Sequence, residues 1–119
     1  MKRIVSAAAL VLLATPAMAE YAFEGSWAHA CETAEGDSIP TVFESGRIVY
    51  YESECAIGDV TAIGSADQAW RLKVSCAGEG ETWDRTILLA LDGDDEGNRR
   101  QLIEVDLDDG HVVAREPCG

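Results

Sequence analysis

The sequence predicts an all-β protein, a small antiparallel up-and-down barrel or barrel-like meander of about seven or eight strands with two disulfides. Within Ala69–Cys76, the residues alternate with the period of a half-buried strand. Trp70, Leu72, Val74 and Cys76 point one way, and Arg71, Lys73 and Ser75 point the other. After residue 20, no stretch keeps the i, i+3, i+4, i+7 apolar spacing of a helix over several turns. Four cysteines in a chain of 119 residues are typical of a small disulfide-bonded domain.

The first 19 residues have the three parts of a secretory signal peptide. A basic start, Met1–Arg3, precedes an apolar segment at Ile4–Ala14 and a small-x-small cleavage site at Ala17–Ala19. The apolar segment has 11 residues, against the roughly 20 that span a bilayer. We therefore predict a signal peptide at 1–19 and a single β-barrel domain at 20–119. The bacterial style of the leader predicts a periplasmic protein without a membrane anchor.

The predicted strands follow one another along the chain with short connections. They span residues 22–30, 39–44, 47–53, 57–63, 69–76, 82–91, 100–107 and 111–116. Glu44–Gly46 and Asp108–Gly110 join neighbouring strands, with glycine available for the positive φ of a tight turn. So many short strands in about 100 residues favour a closed or nearly closed barrel over an open sheet.

The side-chain phase of the predicted strand 100–107 follows from its apolar residues. Alternation turns Ile103, Val105 and Leu107 toward the core and exposes Glu104 and Asp106. We expect such exposed acids to prevent edge-to-edge pairing of the sheet with another chain.

The cysteines are expected to form two disulfides and not a zinc site. Their spacings are 24, 21 and 42 residues, whereas zinc sites usually contain close pairs such as C-x-x-C. Four cysteines allow three connectivities. We prefer Cys31–Cys55 with Cys76–Cys118, because each of these bonds would link two cysteines within the same half of the chain. The alternative, Cys55–Cys76 with Cys31–Cys118, stays open because Cys55 and Cys76 lie symmetrically about a turn at 64–67.

Two short motifs resemble known barrel families. Gly25-Ser26-Trp27 resembles the Gly-x-Trp opening of lipocalin-like barrels, where the tryptophan plugs the barrel floor. The order Trp27, Cys31, Cys55 and then Ala69-Trp70-Arg71 is similar to that of small periplasmic barrels that inhibit proteases. The resemblance covers about the first half of the mature chain, and the second cysteine pair has no counterpart in it. It implies a lipocalin-like or hydrolase-inhibitor-like barrel with a Cys31–Cys55 bridge.

No residue pattern indicates catalysis, a metal or a cofactor. There is no Gly-x-Ser-x-Gly elbow, and the cysteines are expected to be oxidised. His29 and His111 could form a pair only if the first and last strands meet. Residues 92–98 resemble the start of a calcium loop, but Ile103 stands where the bidentate glutamate belongs. We expect a solvated hairpin loop there, no catalytic or metal-binding residue and a protein that is not an enzyme.

The charge balance excludes some partners and favours others. Lys and Arg number 9 against 22 Asp and Glu, a net charge of −13, which argues against nucleic acid and anionic lipid. Four acids at strand ends are predicted to share one barrel rim next to Cys55 and Cys76. These acids are Glu52, Glu54, Glu79 and Glu81. Rigid acidic loops of this kind could steer a basic protein to the rim.

The resulting prediction is an exported, monomeric periplasmic binding protein that inhibits a basic hydrolase such as a lysozyme, or a protease. The first alternative is a lipocalin-like carrier of an apolar ligand. In that case the interior would be lined by Trp27, Trp70, Trp83 and Tyr50. The second alternative is a stable acidic scaffold without a site.

Overall fold

The computed structural model describes residues 20–32, 39–93 and 99–119, with the side chains of 99 and 100 excepted. The predicted signal peptide at 1–19 and most of the calcium-like loop at 92–98 lie outside the described residues. Within these ranges, no helix is long and apolar enough to cross a membrane.

Eight antiparallel strands form a closed barrel, and each strand pairs with its neighbours in the chain. They are β1 (Gly25–Ala28), β2 (Thr41–Glu44), β3 (Arg47–Val49), β4 (Glu54–Ala62), β5 (Ala69–Gly78), β6 (Glu81–Gly93), β7 (Arg99–Asp106) and β8 (Val112–Pro117). This confirms the predicted up-and-down barrel. β1, β2 and β3 are short, with three or four residues each, whereas β4 to β7 are the long strands, with 8 to 13 residues each.

The two ends of the barrel differ in chemistry. Near the start of β1, the ring of Phe23 stacks on Tyr21 at 5.2 Å and meets Phe43 and Trp70 edge-on at 6.0 and 5.1 Å. We call this the aromatic end. The indole N–H of Trp27 donates to the carbonyl oxygen of Phe23 at 2.8 Å, and both residues are buried. The core therefore fills this end of the barrel.

The opposite end, the mouth, is formed by the connections at 50–53, 79–80 and 107–111. The β5–β6 connection has only two residues, Glu79 and Gly80, both with positive φ. This is the conformation of the type I′ turn that suits the twist of an antiparallel pair. The tight hairpin holds β5 and β6 in register up to the pair Gly78 and Glu81.

The predicted side-chain phase of the seventh strand is wrong. Leu102, Glu104 and Asp106 are buried, whereas Ile103 and Val105 are only partly buried. Glu104 and Asp106 pair with Leu89 and Ile87 of β6, and directly opposed residues lie on the same face of a sheet. Apolar residues occur in both phases of this strand, so the sequence pattern alone could not select the inner one.

The preferred disulfide pairing is also wrong, as is the Cys31–Cys55 bridge that the resemblance implied. The bonds are Cys31–Cys118 and Cys55–Cys76. Cys55 and Cys76 are directly opposed on β4 and β5. The other bond joins the chain after β1 to the chain after β8. It therefore ties the seam of the barrel, where only two residue pairs are in register.

This pairing has an energetic consequence. In the chain-entropy model a loop of 87 residues contributes roughly 4–5 kcal/mol and one of 21 residues roughly 3 kcal/mol. The bond between Cys31 and Cys118 forms because a meander that closes into a barrel brings its first and last strands together. Two disulfides indicate an oxidising compartment.

We expect the unreduced, unfolded protein to release no titratable thiol, because all four cysteines are bonded. A digest without reduction should yield one linked peptide pair containing Cys31 and Cys118, and another containing Cys55 and Cys76. Mass spectrometry before and after reduction measures both. Two or more free thiols per chain, or a peptide linking Cys31 to Cys55, would contradict this arrangement.

Candidate functional site

A cavity of about 510 Å³ opens at the mouth of the barrel. Side chains from β6, β8 and the end of β3 reach into it, namely Arg85, Arg115 and Tyr50. The surrounding wall includes Ile39, Thr41 and Val113 together with residues 51–53. The barrel thus combines an apolar interior at one end with a polar cavity at the other.

Five side chains form a hydrogen-bonded cluster beneath this cavity, which we call the floor network. The Arg85 Nε donates to Asp106 Oδ2 at 2.7 Å, and Arg85 Nη2 donates to Glu104 Oε2 at 3.2 Å. The Arg115 Nη1 donates to Glu104 Oε1 at 2.8 Å. The Tyr50 hydroxyl donates to Glu104 Oε2 at 3.1 Å. Glu104 is therefore the centre of the network and accepts from three side chains.

The ring of Tyr50 also contacts both guanidinium groups. The Arg85 and Arg115 Cζ atoms lie 5.6 and 6.0 Å from its centroid, within the range of cation–π attraction. Burial raises the pKa of Tyr50 well above its ordinary value, and the negative charge of Glu104 adds to that rise. The phenol therefore stays neutral, and its hydroxyl acts as a donor.

Asp106 links the network to the β7–β8 turn. Its Oδ1 accepts hydrogen bonds from the backbone N–H groups of Asp108 at 2.9 Å and Asp109 at 3.3 Å. Burial by itself would raise the pKa of Asp106. The Asp108 N–H and the Arg85 side chain outweigh burial and hold this pKa below its ordinary value. The carboxylate is therefore ionised at neutral pH and positions both Arg85 and the turn.

Sequence reasoning missed the floor network, although one signal was present. On β6, Arg85 follows the same alternation as Trp83, Ile87 and Leu89, so a cation occupies a position that the pattern assigns to the interior. A charged residue at an inward position requires a buried partner of opposite charge. The partners are Glu104 and Asp106 on β7, which the apolar pattern of that strand places on the outside.

The two histidines lie at the same end of the barrel. Because β1 pairs with β8, His29 and His111 both line the mouth cavity. In the part of the chain that the structure describes, no group of three or more His, Cys, Asp or Glu side chains could hold a metal ion.

Three of the four predicted rim acids lie together. Glu52, Glu79 and Glu81 line one depression at the mouth, next to Trp83. Gly78 permits this arrangement, because a Cβ at that position would lie 2.7 Å from the carbonyl oxygen of Glu52. We call these three residues the acidic rim. Glu54 is separate from it, at the start of β4, where its carboxylate lies 3.9 Å from Arg47 Nη1.

The four aromatic residues assigned to an apolar-ligand carrier do not share the mouth cavity. Trp27 and Trp70 belong to the filled core. Trp83 is partly buried beside the acidic rim, and only Tyr50 lines the cavity.

The fold and the site together define a small disulfide-bonded barrel with a filled aromatic end and a charged, open mouth. Comparison of the chain with protein-family models, curated proteins and solved structures gives no match.

Proposed function

We propose that this chain is an exported, non-enzymatic binding protein of the periplasm that binds a basic protein partner through the mouth of the barrel. The partner would be a hydrolase such as a lysozyme, or a basic protease, which is inhibited in the complex. The observation that carries the proposal is the convergence of Glu52, Glu79 and Glu81 on one depression.

The acidic rim is available to a partner. Among the side chains that the structure describes, Glu52, Glu79 and Glu81 make no ion pair, whereas Glu44 is paired with Arg47 at 2.8 Å. The rim is also held rigidly, because the Cys55–Cys76 bond and the close packing at Gly78 join the two segments that carry it. Rigid unpaired charges of one sign increase the rate of encounter with an oppositely charged protein.

Exposed apolar side chains at the same end support a protein interface. Of the four large hydrophobic residues described as exposed, three lie at the mouth: Tyr51 at 62%, Leu107 at 49% and Val112 at 58%. Protein interfaces combine such apolar contacts with a polar rim, and tyrosine is enriched among the residues that contribute most affinity.

Export to the periplasm rests on two observations. The leader at 1–19 has the parts of a signal peptide, and the two disulfides need an oxidising compartment.

We expect the rim variant Glu52→Gln/Glu79→Gln/Glu81→Gln to associate about 3- to 10-fold more slowly with a basic partner at low salt. The loss should shrink as salt rises, because screening limits the field to about 8 Å near physiological ionic strength. Single variants should differ little from wild type, since one surface charge is worth roughly 0–1 kcal/mol. Stopped-flow or surface-based kinetics with a lysozyme and with a basic protease measure these rates. Parallel assays of each hydrolase measure inhibition.

The control changes the net charge by the same amount elsewhere. It neutralises Asp59, Asp67 and Glu116, three exposed acids that line neither the acidic rim depression nor the mouth cavity. If the control slows association as much as the rim variant, only general charge is at work and the proposal fails. It also fails if the rim variant and wild type associate at equal rates in low salt.

A further inference from the structure

We propose that the mouth cavity binds a small organic anion whose carboxylate or phosphate group lies against the guanidinium groups of Arg85 and Arg115. Glu52 lines both the mouth cavity and the acidic rim depression. The inference nevertheless does not depend on the basic protein partner, because Arg85 and Arg115 carry it and the rim acids do not. It rests on the orientation of the floor network, whose two arginines line the cavity while its two carboxylates do not.

The floor network has a cationic side and an anionic side. Arg85 and Arg115 line the cavity, whereas the carboxylates that hold them, Glu104 and Asp106, do not. The acids therefore lie behind the guanidinium groups as seen from the mouth. Their hydrogen bonds of 2.7 to 3.2 Å fix both arginines in place before any ligand arrives. A ligand anion would meet preorganised donors and would not have to order two long side chains.

Part of the donor capacity of both arginines is unused. Arg85 donates through Nε and Nη2, and Arg115 donates through Nη1, while a guanidinium group carries five N–H donors. The other guanidinium nitrogens make no hydrogen bond within the described residues. No fully buried side-chain nitrogen or oxygen there lacks a partner. These nitrogens must therefore be open to solvent. Both arginines line the mouth cavity, and Arg85 also lines a second depression next to Asp84 and Asp108.

The rest of the cavity suits an organic body attached to the anion. Its volume of about 510 Å³ lies in the usual range for small-molecule sites. Ile39, Val113 and the ring of Tyr51 supply apolar wall around the polar floor. A neutral amide of the same shape would accept from one guanidinium donor through its carbonyl oxygen. Its NH2 group would cover a second guanidinium donor without pairing it, which carries a desolvation cost. The site should therefore distinguish an anion from its neutral isostere.

The net charge of −13 slows the approach of any anion at long range. Added salt screens this repulsion, while the contacts at the partly buried arginines are screened less. We therefore expect association of the anion to become faster when salt is first raised. This is opposite to the salt response expected at the acidic rim, so failure of one proposal is distinguishable from failure of the other.

The test uses 2-naphthoate, benzoate and phenyl phosphate as anions and 2-naphthamide as the neutral isostere of the first. Binding is measured by calorimetry and by chemical-shift changes in two-dimensional NMR of the mature protein. We expect 2-naphthoate to bind at least tenfold more tightly than 2-naphthamide, with shifts concentrated at residues 50–53 and 111–115. In Arg115→Gln this preference should fall to near unity. In Arg71→Gln, which removes an exposed arginine from the outer wall of β5, it should be unchanged.

A second variant guards against misfolding caused by a change in the floor network. Val113→Trp fills the cavity from β8 without removing a charge and should abolish binding of both naphthyl probes. Equal affinity for 2-naphthoate and 2-naphthamide in wild type would overturn the proposal. Equal losses in Arg71→Gln and Arg115→Gln would also overturn it, as would absence of binding by all three anions at concentrations up to about 10 mM.

Discussion

Replacement of Trp70 by alanine is expected to lower the free energy of unfolding by about 3–5 kcal/mol. The Trp70 side chain is 2% exposed and meets the ring of Phe23 edge-on at 5.1 Å, so its removal opens a cavity where the aromatic end is closed. Urea denaturation followed by far-UV circular dichroism measures the loss, with the disulfides intact in both proteins.

The control for Trp70 is Tyr51→Ala, which removes a large aromatic side chain that is 62% exposed at the mouth. It should change stability by no more than about 0.5 kcal/mol. A loss below about 1 kcal/mol for Trp70→Ala would mean that the ring does not pack in a closed core.

Replacement of Glu104 by alanine is expected to cost a similar amount, about 3–5 kcal/mol. The change leaves Arg115 without the carboxylate it contacts at 2.8 Å and removes one of the two that Arg85 contacts. Because the Arg85 and Arg115 side chains are only 20% and 12% exposed, bulk water does not fully replace the lost carboxylate. The same denaturation experiment at neutral pH measures this effect.

The matched control is Glu44→Ala, which breaks the exposed ion pair with Arg47 in the β2–β3 hairpin. An exposed pair is worth roughly 0–1 kcal/mol, so this variant should remain close to wild type. Similar losses for Glu44→Ala and Glu104→Ala would show that the ion pairs of the floor network stabilise the protein no more than an exposed pair does.

The acidic rim shows how local sequence and tertiary packing combine. The sequence places Glu52, Glu79 and Glu81 at the ends of predicted strands, and in a meander of this order those ends face the same rim. The distance between the two segments depends on Gly78, because only the absence of a Cβ lets the backbone at Glu52 approach. Strand order therefore predicted the rim, while the close approach became visible only in three dimensions.

The cysteine pairing depended on closure. Cys55 and Cys76 are equally spaced about a hairpin turn, so the local sequence did indicate that these two residues could form a bond. The Cys31–Cys118 bond has no local signal, because its two residues are 87 positions apart and meet only after β1 and β8 close the barrel. A preference for disulfides between cysteines that are close in sequence therefore could not predict the Cys31–Cys118 bond.

The sequence by itself determined the all-β class, the order of the strands and the inward face of β5, where Trp70, Leu72 and Val74 alternate with charged or polar residues. Alternation is a property of single strands, so it can be detected without knowledge of neighbours. Tertiary structure alone decided the inward face of β7, because Glu104 and Asp106 can be buried only where Arg85 and Arg115 of adjacent strands compensate their charge. Which face of a strand is buried therefore depends on the neighbouring strands as well as on its own residues.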